Sequence, residues 1–211
     1  MEDRIIVYGA AYSVYVRAVR LALAEKGVPY ELVEVDVFAA GGPPAEQVAR
    51  HPFGRIPAFE HDDFRLYEAS AIERYVDEAF DGPRLQPESP KSRAIMNQAI
   101  SLLDSYAYRT LVWNIYVESV SKPREGQRRD EARIAAALPR AETCLDALER
   151  VMGDGPWLGG AHFTLADCHA APMFDYFRLA AEGAAMLATH ESLSRWWERM
   201  SARPSMLATR P

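Results

Sequence analysis

The short runs of β-branched and aromatic residues that are bounded by turn formers lie before Glu68, and beyond Pro90 the apolar residues fall instead into long stretches with few breakers. A chain built this way must join a small sheet at one end to a helical assembly at the other. Arg4 to Tyr8 is the first strand-like run, broken by Gly9 to Ser13. A helical pattern then places Val16, Val19, Leu23 and Ala24 on one face and ends in Lys26, Gly27 and Pro29, a basic last turn with its stop signals. Tyr30 to Val37 alternates again, and strand, helix, strand in succession implies a right-handed parallel pair.

Gly41 to Pro44 reads as a loop. Ile56 to Glu60 and Phe64 to Tyr67 are two short strands whose His61-Asp62-Asp63 spacer suits a hairpin. Ile72, Tyr75, Val76 and Ala79 follow at helical spacing, so the order is βαβ then ββα, which is thioredoxin-like. Asp81 to Pro90 is dense in breakers and serves as a linker. A long helix is expected from about Pro90 to Val120. Ile134, Leu138, Ala141, Leu145, Leu148 and Met152 then form the seam of a bundle helix that Pro139 should kink or restart. Thr164 and Asp167 have capping-box spacing, and Trp196 and Trp197 sit on a last helix. The expected division is a domain at 1–80, a linker at 81–90 and an all-helical domain at 91–211.

Composition narrows the function. Twenty-four Lys and Arg against 30 Asp and Glu leave a net charge of −6, which draws the chain to neither nucleic acid nor anionic lipid. Cys144 and Cys168 are too few for a disulfide framework and wrongly spaced for a C-x-x-C pair. The acids Glu2 and Asp3 at the start, Arg17 interrupting the apolar stretch after them, and the want of a run near 18 apolar residues read as an unprocessed cytoplasmic chain with no membrane span. Phosphate-loop, dinucleotide-fold, zinc-protease and nucleophile-elbow motifs are missing. Five scattered His with no i, i+4 pair give no expectation of a metal.

Two segments carry a resemblance. Tyr12-Ser13-Val14-Tyr15-Val16-Arg17 through Lys26-Gly27 resembles the first turn and helix of cytosolic glutathione S-transferases. His51-Pro52-Phe53-Gly54-Arg55-Ile56-Pro57-Ala58-Phe59, followed by Leu66-Tyr67-Glu68-Ala69-Ser70-Ala71-Ile72, resembles that family's N-P-x-G-x-[VI]-P-x-L and E-S-x-A-I segments. Phe163-Thr164-Leu165-Ala166-Asp167 and Arg203-Pro204-Ser205 extend the likeness along the chain, in a form most similar to the phi group of plants or its bacterial relatives. The resemblance implies a thioredoxin-like α/β domain on an all-α helical bundle. It also implies glutathione as co-substrate, a small hydrophobic electrophile as partner substrate, and a homodimer.

It implies roles as well. Ser13 stands where the family places the hydroxyl or thiol that activates glutathione, with Tyr12 and Tyr8 as rival donors; the plainer reading of Ser13 is a helix N-cap. Ile56-Pro57 is implied to be a cis bond whose Ile56 backbone pairs with a peptide-like ligand, with Arg55 beside it. Glu68 opens a helix whose N-terminus favours the γ-glutamyl carboxylate, or else it is an ordinary helix-start acid. Two departures weaken this pattern. Ala69 replaces the family's Ser, and loss of a hydrogen bond to a charged group costs about 1.5 to 3 kcal/mol, or about one to two decades in affinity. Residues 39–44 offer no cation for the glycyl carboxylate, leaving Arg55. Tyr12, Tyr106 and Trp113 are the candidates for contact with the hydrophobic substrate; Tyr106, Trp113 and Tyr116 on the long helix either wall such an apolar pocket or pack between domains, and Phe53 is either a dimer key or a loop anchor. The expected activity is glutathione conjugation, and the alternative is a non-catalytic ligand-binding or protein-interaction module of the same fold.

Overall fold

A computed structural model describes residues 4–211; Glu2 and Asp3 lie outside them. The chain forms two compact units, one running to Gln86 and taking in Arg203–Pro211, the other Pro87–Ala202.

The first unit contains β1 (Ile5–Tyr8), α1 (Val14–Lys26), β2 (Glu31–Val33), α2 (Ala45–Arg50), β3 (Ala58–His61), β4 (Phe64–Tyr67) and α3 (Ala69–Ala79). The sheet order is β2-β1-β3-β4, with β1 and β2 parallel and the other pairs antiparallel. β2 is shorter than the expected strand from Tyr30 to Val37 because its partner ends: Tyr8 pairs with Val33 and Gly9 N–H donates to Val33 O at 3.0 Å, after which β1 offers no further backbone. Val35 and Val37 keep their inward alternation without a ladder, packing with Ile6, Tyr8 and Ala58.

α1 is buried nearly all round, including Arg17 and Arg20. One face was expected to be apolar, but the chain's end covers the opposite one. Arg17 donates to Met206 O at 3.3 Å, Arg20 to Thr209 O at 3.2 Å, and Glu25 receives Arg203 Nε at 2.7 Å and the Ser205 hydroxyl. The range expected for the helical domain, 91–211, includes this returning tail. Lys26 and Asp77 form a buried pair, with Nζ 3.0 Å from Asp77 O and 3.4 Å from Oδ1, and the Asp77 carboxylate also accepts from Leu85 N at 2.7 Å and Gln86 N at 3.0 Å. Those two bonds carry the unit through Gln86, six residues into the expected linker at 81–90.

The second unit is helical. α4 (Pro90–Leu102) continues without a break into a π-type segment, Leu103–Ser121, and a last turn α5 (Lys122–Arg124). Next come α6 (Glu131–Met152), α7 (Leu165–Phe177), α8 (Ala181–Thr189) and α9 (Glu191–Ser201). α6 runs unbroken through Pro139, which lies on the exposed side, so the carbonyl it leaves unbonded can turn to water. Its buried seam takes in Ala137 and Cys144, whereas Leu138 is only half-buried. The expected capping box closes α7: Thr164 N–H donates to Asp167 Oδ2 at 2.8 Å, and Asp167 also receives Leu158 N–H at 2.9 Å and Trp196 Nε1–H at 2.8 Å. Trp196 is fully buried on α9, and the short helix Pro204–Ala208 comes after it.

Candidate active site

Sheet register assembles the site. Tyr8 pairs with Ala58, and Ala58 with Tyr67, so one step further Gly9, Pro57 and Glu68 fall in a single row at one end of the sheet. The same end carries the N-termini of α1 and α3. Gly9 draws the row together: a Cβ there would lie 2.4 Å from Val16 Cγ2 and 3.1 Å from Ile56 Cβ, so the first turn of α1 and the Ile56 loop close on bare backbone. Gly9→Ala is accordingly expected to destabilise the first unit by about 1 to 3 kcal/mol, measured by urea unfolding.

Ser13 is the N-cap of α1, with its Oγ accepting from Val16 N–H at a long 3.5 Å. That cap uses a lone pair and leaves the hydroxyl proton to be donated elsewhere. Tyr8 differs, since its hydroxyl donates to Glu60 Oε2 at 2.8 Å and its ring lies under the Arg50 guanidinium at 3.9 Å. Burial, then the Glu60 carboxylate, push its pKa up. Tyr12 is 47% exposed beside Ser13, and burial followed by the charges of Asp36 and Glu34 raises its pKa too.

The Ile56-Pro57 bond is cis. The loop before it is pinned by a helix that sequence reasoning missed: Gln47, buried on α2, donates through Nε2 to Arg55 O at 2.6 Å. Pro44 followed by Ala-Glu-Gln-Val-Ala-Arg, with Glu46 in the first turn and Arg50 in the last, was the available signal. The Arg55 side chain is exposed.

Glu68 is the N-cap of α3 with φ 72° and ψ 113°, a left-handed conformation rare outside glycine, and no side chain caps the helix. Its carboxylate points outward, 3.9 Å from Nε2 of the buried His51. Burial lowers the His51 pKa, with Glu68 opposing and Arg55 assisting, so the ring is neutral at neutral pH. Ala69 is buried at the first position of α3, and Ser70 follows half-buried. Phe53 is 72% exposed. Ser13, Ile56, Pro57, Glu68 and Ala69 thus share one end of one unit. Tyr106, Trp113 and Tyr116 belong to the π-type segment of the other, where Tyr106 is exposed, Trp113 half-buried, and Tyr116 stacked on Tyr176 with ring centroids 4.5 Å apart.

A mixed sheet with a cis-proline opening its central antiparallel strand defines the first unit as a thioredoxin-like domain, here followed by an all-helical one. Comparison with known proteins is consistent across both. The model for the glutathione S-transferase N-terminal domain matches residues 7–84, and that for the C-terminal domain matches 96–204. Glutathione S-transferase F12 of Arabidopsis thaliana is 30% identical over 201 residues, 94% of each chain, and a glutathione S-transferase of Hyoscyamus muticus is 31% identical over the same share. Among solved structures, glutathione transferase F2 from Populus trichocarpa superposes with a TM-score of 0.87 at 27% identity, covering 97% of this chain and 96% of that one. The chain belongs to the glutathione S-transferase family. These relatives are plant proteins and give no support to the bacterial side of the subclass expectation.

Proposed function

We propose that the protein is a phi-like glutathione transferase that ionises the glutathione thiol and directs it onto the carbon of a small hydrophobic electrophile. The observation that carries this reading is the row of Gly9, Pro57 and Glu68. Two strand spacings separate its ends, about 10 Å, the reach of an extended tripeptide. The γ-glutamyl carboxylate lies at the uncapped N-terminus of α3 and its ammonium against Glu68; the cysteinyl backbone pairs with Ile56 beside the cis-proline; the sulfur sits at Ser13. Arg55 is the cation offered to the glycyl carboxylate. Tyr12, exposed next to Ser13, is the aromatic residue of this unit offered to the electrophile.

Ionising a thiol of pKa near 8.5 at neutral pH takes about 2.7 kcal/mol. A hydroxyl donor supplies about 1.5 to 3 kcal/mol and a helix N-terminus about 0.3 to 1, so Ser13 and α1 together suffice. The sulfur lone pair then forms the bond to carbon as the leaving group departs with its electrons. The chain has no helix among the described residues long and apolar enough to cross a membrane. We place it in the cytoplasm as a homodimer, with the exposed Phe53 as an anchor for the second copy.

A second reading, a non-catalytic module, draws on Ala69 and the cation-poor loop at 39–44. Retention on immobilised glutathione together with thiol transfer to a chlorinated nitrobenzene separates the two. No retention together with no thiol transfer would reject the enzyme. In the same assays Ala69→Ser is expected to tighten glutathione binding by about ten-fold or more, because it restores one donor to the γ-glutamyl carboxylate.

A further inference from the structure

A second cluster of chemistry-bearing residues lies in the helical unit, where α6 passes the corner joining α8 to α9. Glu142 and Asp146, one helical turn apart on α6, present exposed carboxylates to His190, which is 5% exposed and caps α9. One ligand atom from each of the three lies within 4.8 Å of the others. A pair of carboxylates alone would be an ordinary solvated helix face.

The histidine makes it more. Its Nδ1 faces Glu149 Oε2 at 3.2 Å, and Glu149 is itself held by the backbone N–H groups of Ser192 at 3.1 Å and Leu193 at 3.3 Å. An acceptor fixed in this way keeps the ring proton on Nδ1 and turns the Nε2 lone pair the other way. Nε2 is buried, has no hydrogen-bond partner among the described residues, and lies 3.4 Å from Glu142 Oε1 on the side of the ring away from Glu149. Carboxylate, histidine and open ligand set form the relay by which proteins orient a metal-binding imidazole.

We propose that His190, Glu142 and Asp146 bind a divalent transition metal, Zn²⁺ by preference, with water completing the shell and Glu149 as the residue positioning His190. A neutral imidazole and two carboxylates balance the ion's two charges. The mixed nitrogen and oxygen donors suit zinc and disfavour calcium or magnesium, which take oxygen alone. The separation of Nε2 from Glu142 already matches the edge of a tetrahedral zinc shell, about 3.3 Å for bonds near 2.0 Å. The expectation of no metal looked for histidine pairs at helical spacing; this set draws its one histidine from a corner and its acids from another helix. The ion would clamp α6 to the α8–α9 corner, far in sequence from the glutathione-site residues.

Untagged, chelator-stripped protein titrated with zinc chloride against a chromogenic chelator, without glutathione, tests this. One zinc per chain and a thermal midpoint that rises with zinc are expected. Glu142→Gln and Asp146→Asn, both at exposed positions that leave the fold intact, should each weaken zinc binding at least ten-fold, and the double variant should abolish the thermal shift while conjugation activity stays unchanged. Cobalt substitution should give the visible bands of a four-coordinate site in the wild type only. No zinc bound at about 100 μM, or equal binding by the double variant, overturns the site and leaves His190 a histidine held between two glutamates.

Discussion

Ser13→Ala is expected to lower the rate of glutathione conjugation at neutral pH by about one to two decades while changing the KM for glutathione little. The size follows from one hydroxyl donor to a thiolate, about 1.5 to 3 kcal/mol. Titrating the ultraviolet absorbance of the bound thiolate checks it directly: the apparent pKa should rise by about one to two units in the variant. Stability should barely move, because the cap that Ser13 makes to Val16 is long at 3.5 Å. A variant with full activity would transfer the role to Tyr12. Tyr8 is the poorer heir, since its hydroxyl proton is already given to Glu60.

Asp167→Ala is expected to cost the helical unit about 3 to 5 kcal/mol. It strands the buried donors Trp196 Nε1, Leu158 N and Thr164 N, which now share one carboxylate. Burial pushes the Asp167 carboxyl up to about 6, against the pull of those donors. A folded-state pKa above the unfolded value near 3.9 means that folding favours the protonated form. Its contribution is therefore complete below about pH 4 and is lost as the pH rises through about 6. Asp167→Asn removes that dependence. The stability of the wild type relative to the Asn variant should fall by about 2 kcal/mol between about pH 4.5 and pH 7.5 in urea unfolding, and a constant difference would place the ionisation elsewhere.

The capping box shows how far local patterns reach. Thr164 and Asp167 announced a helix start from spacing alone, but the recruitment of Trp196 and Leu158 to the same carboxylate depends on elements far apart in the chain. α2 went unread because six residues with one buried side chain, Gln47, carry too little periodicity to stand out. The seam of α6 kept Ile134, Ala141, Leu145, Leu148 and Met152 and took in Ala137 and Cys144 beside them, while Leu138 is only half-buried, because its neighbours decide which flank of the stripe is covered.

Element order, the caps at Ser13 and Thr164, the X-Pro bond at residue 57 and the motif around Glu68 were all legible from residues near one another, since capping, turn chemistry and strand alternation are short-range effects. Only the folded chain decided that Gly9, Pro57 and Glu68 share a row, that the Tyr8 hydroxyl is occupied, that buried Arg17 and Arg20 call the C-terminal tail back onto α1, and that His190 faces the acids of α6. Register and long-range hydrogen bonding depend on where distant segments come to rest, and one residue's neighbours in sequence say nothing of that.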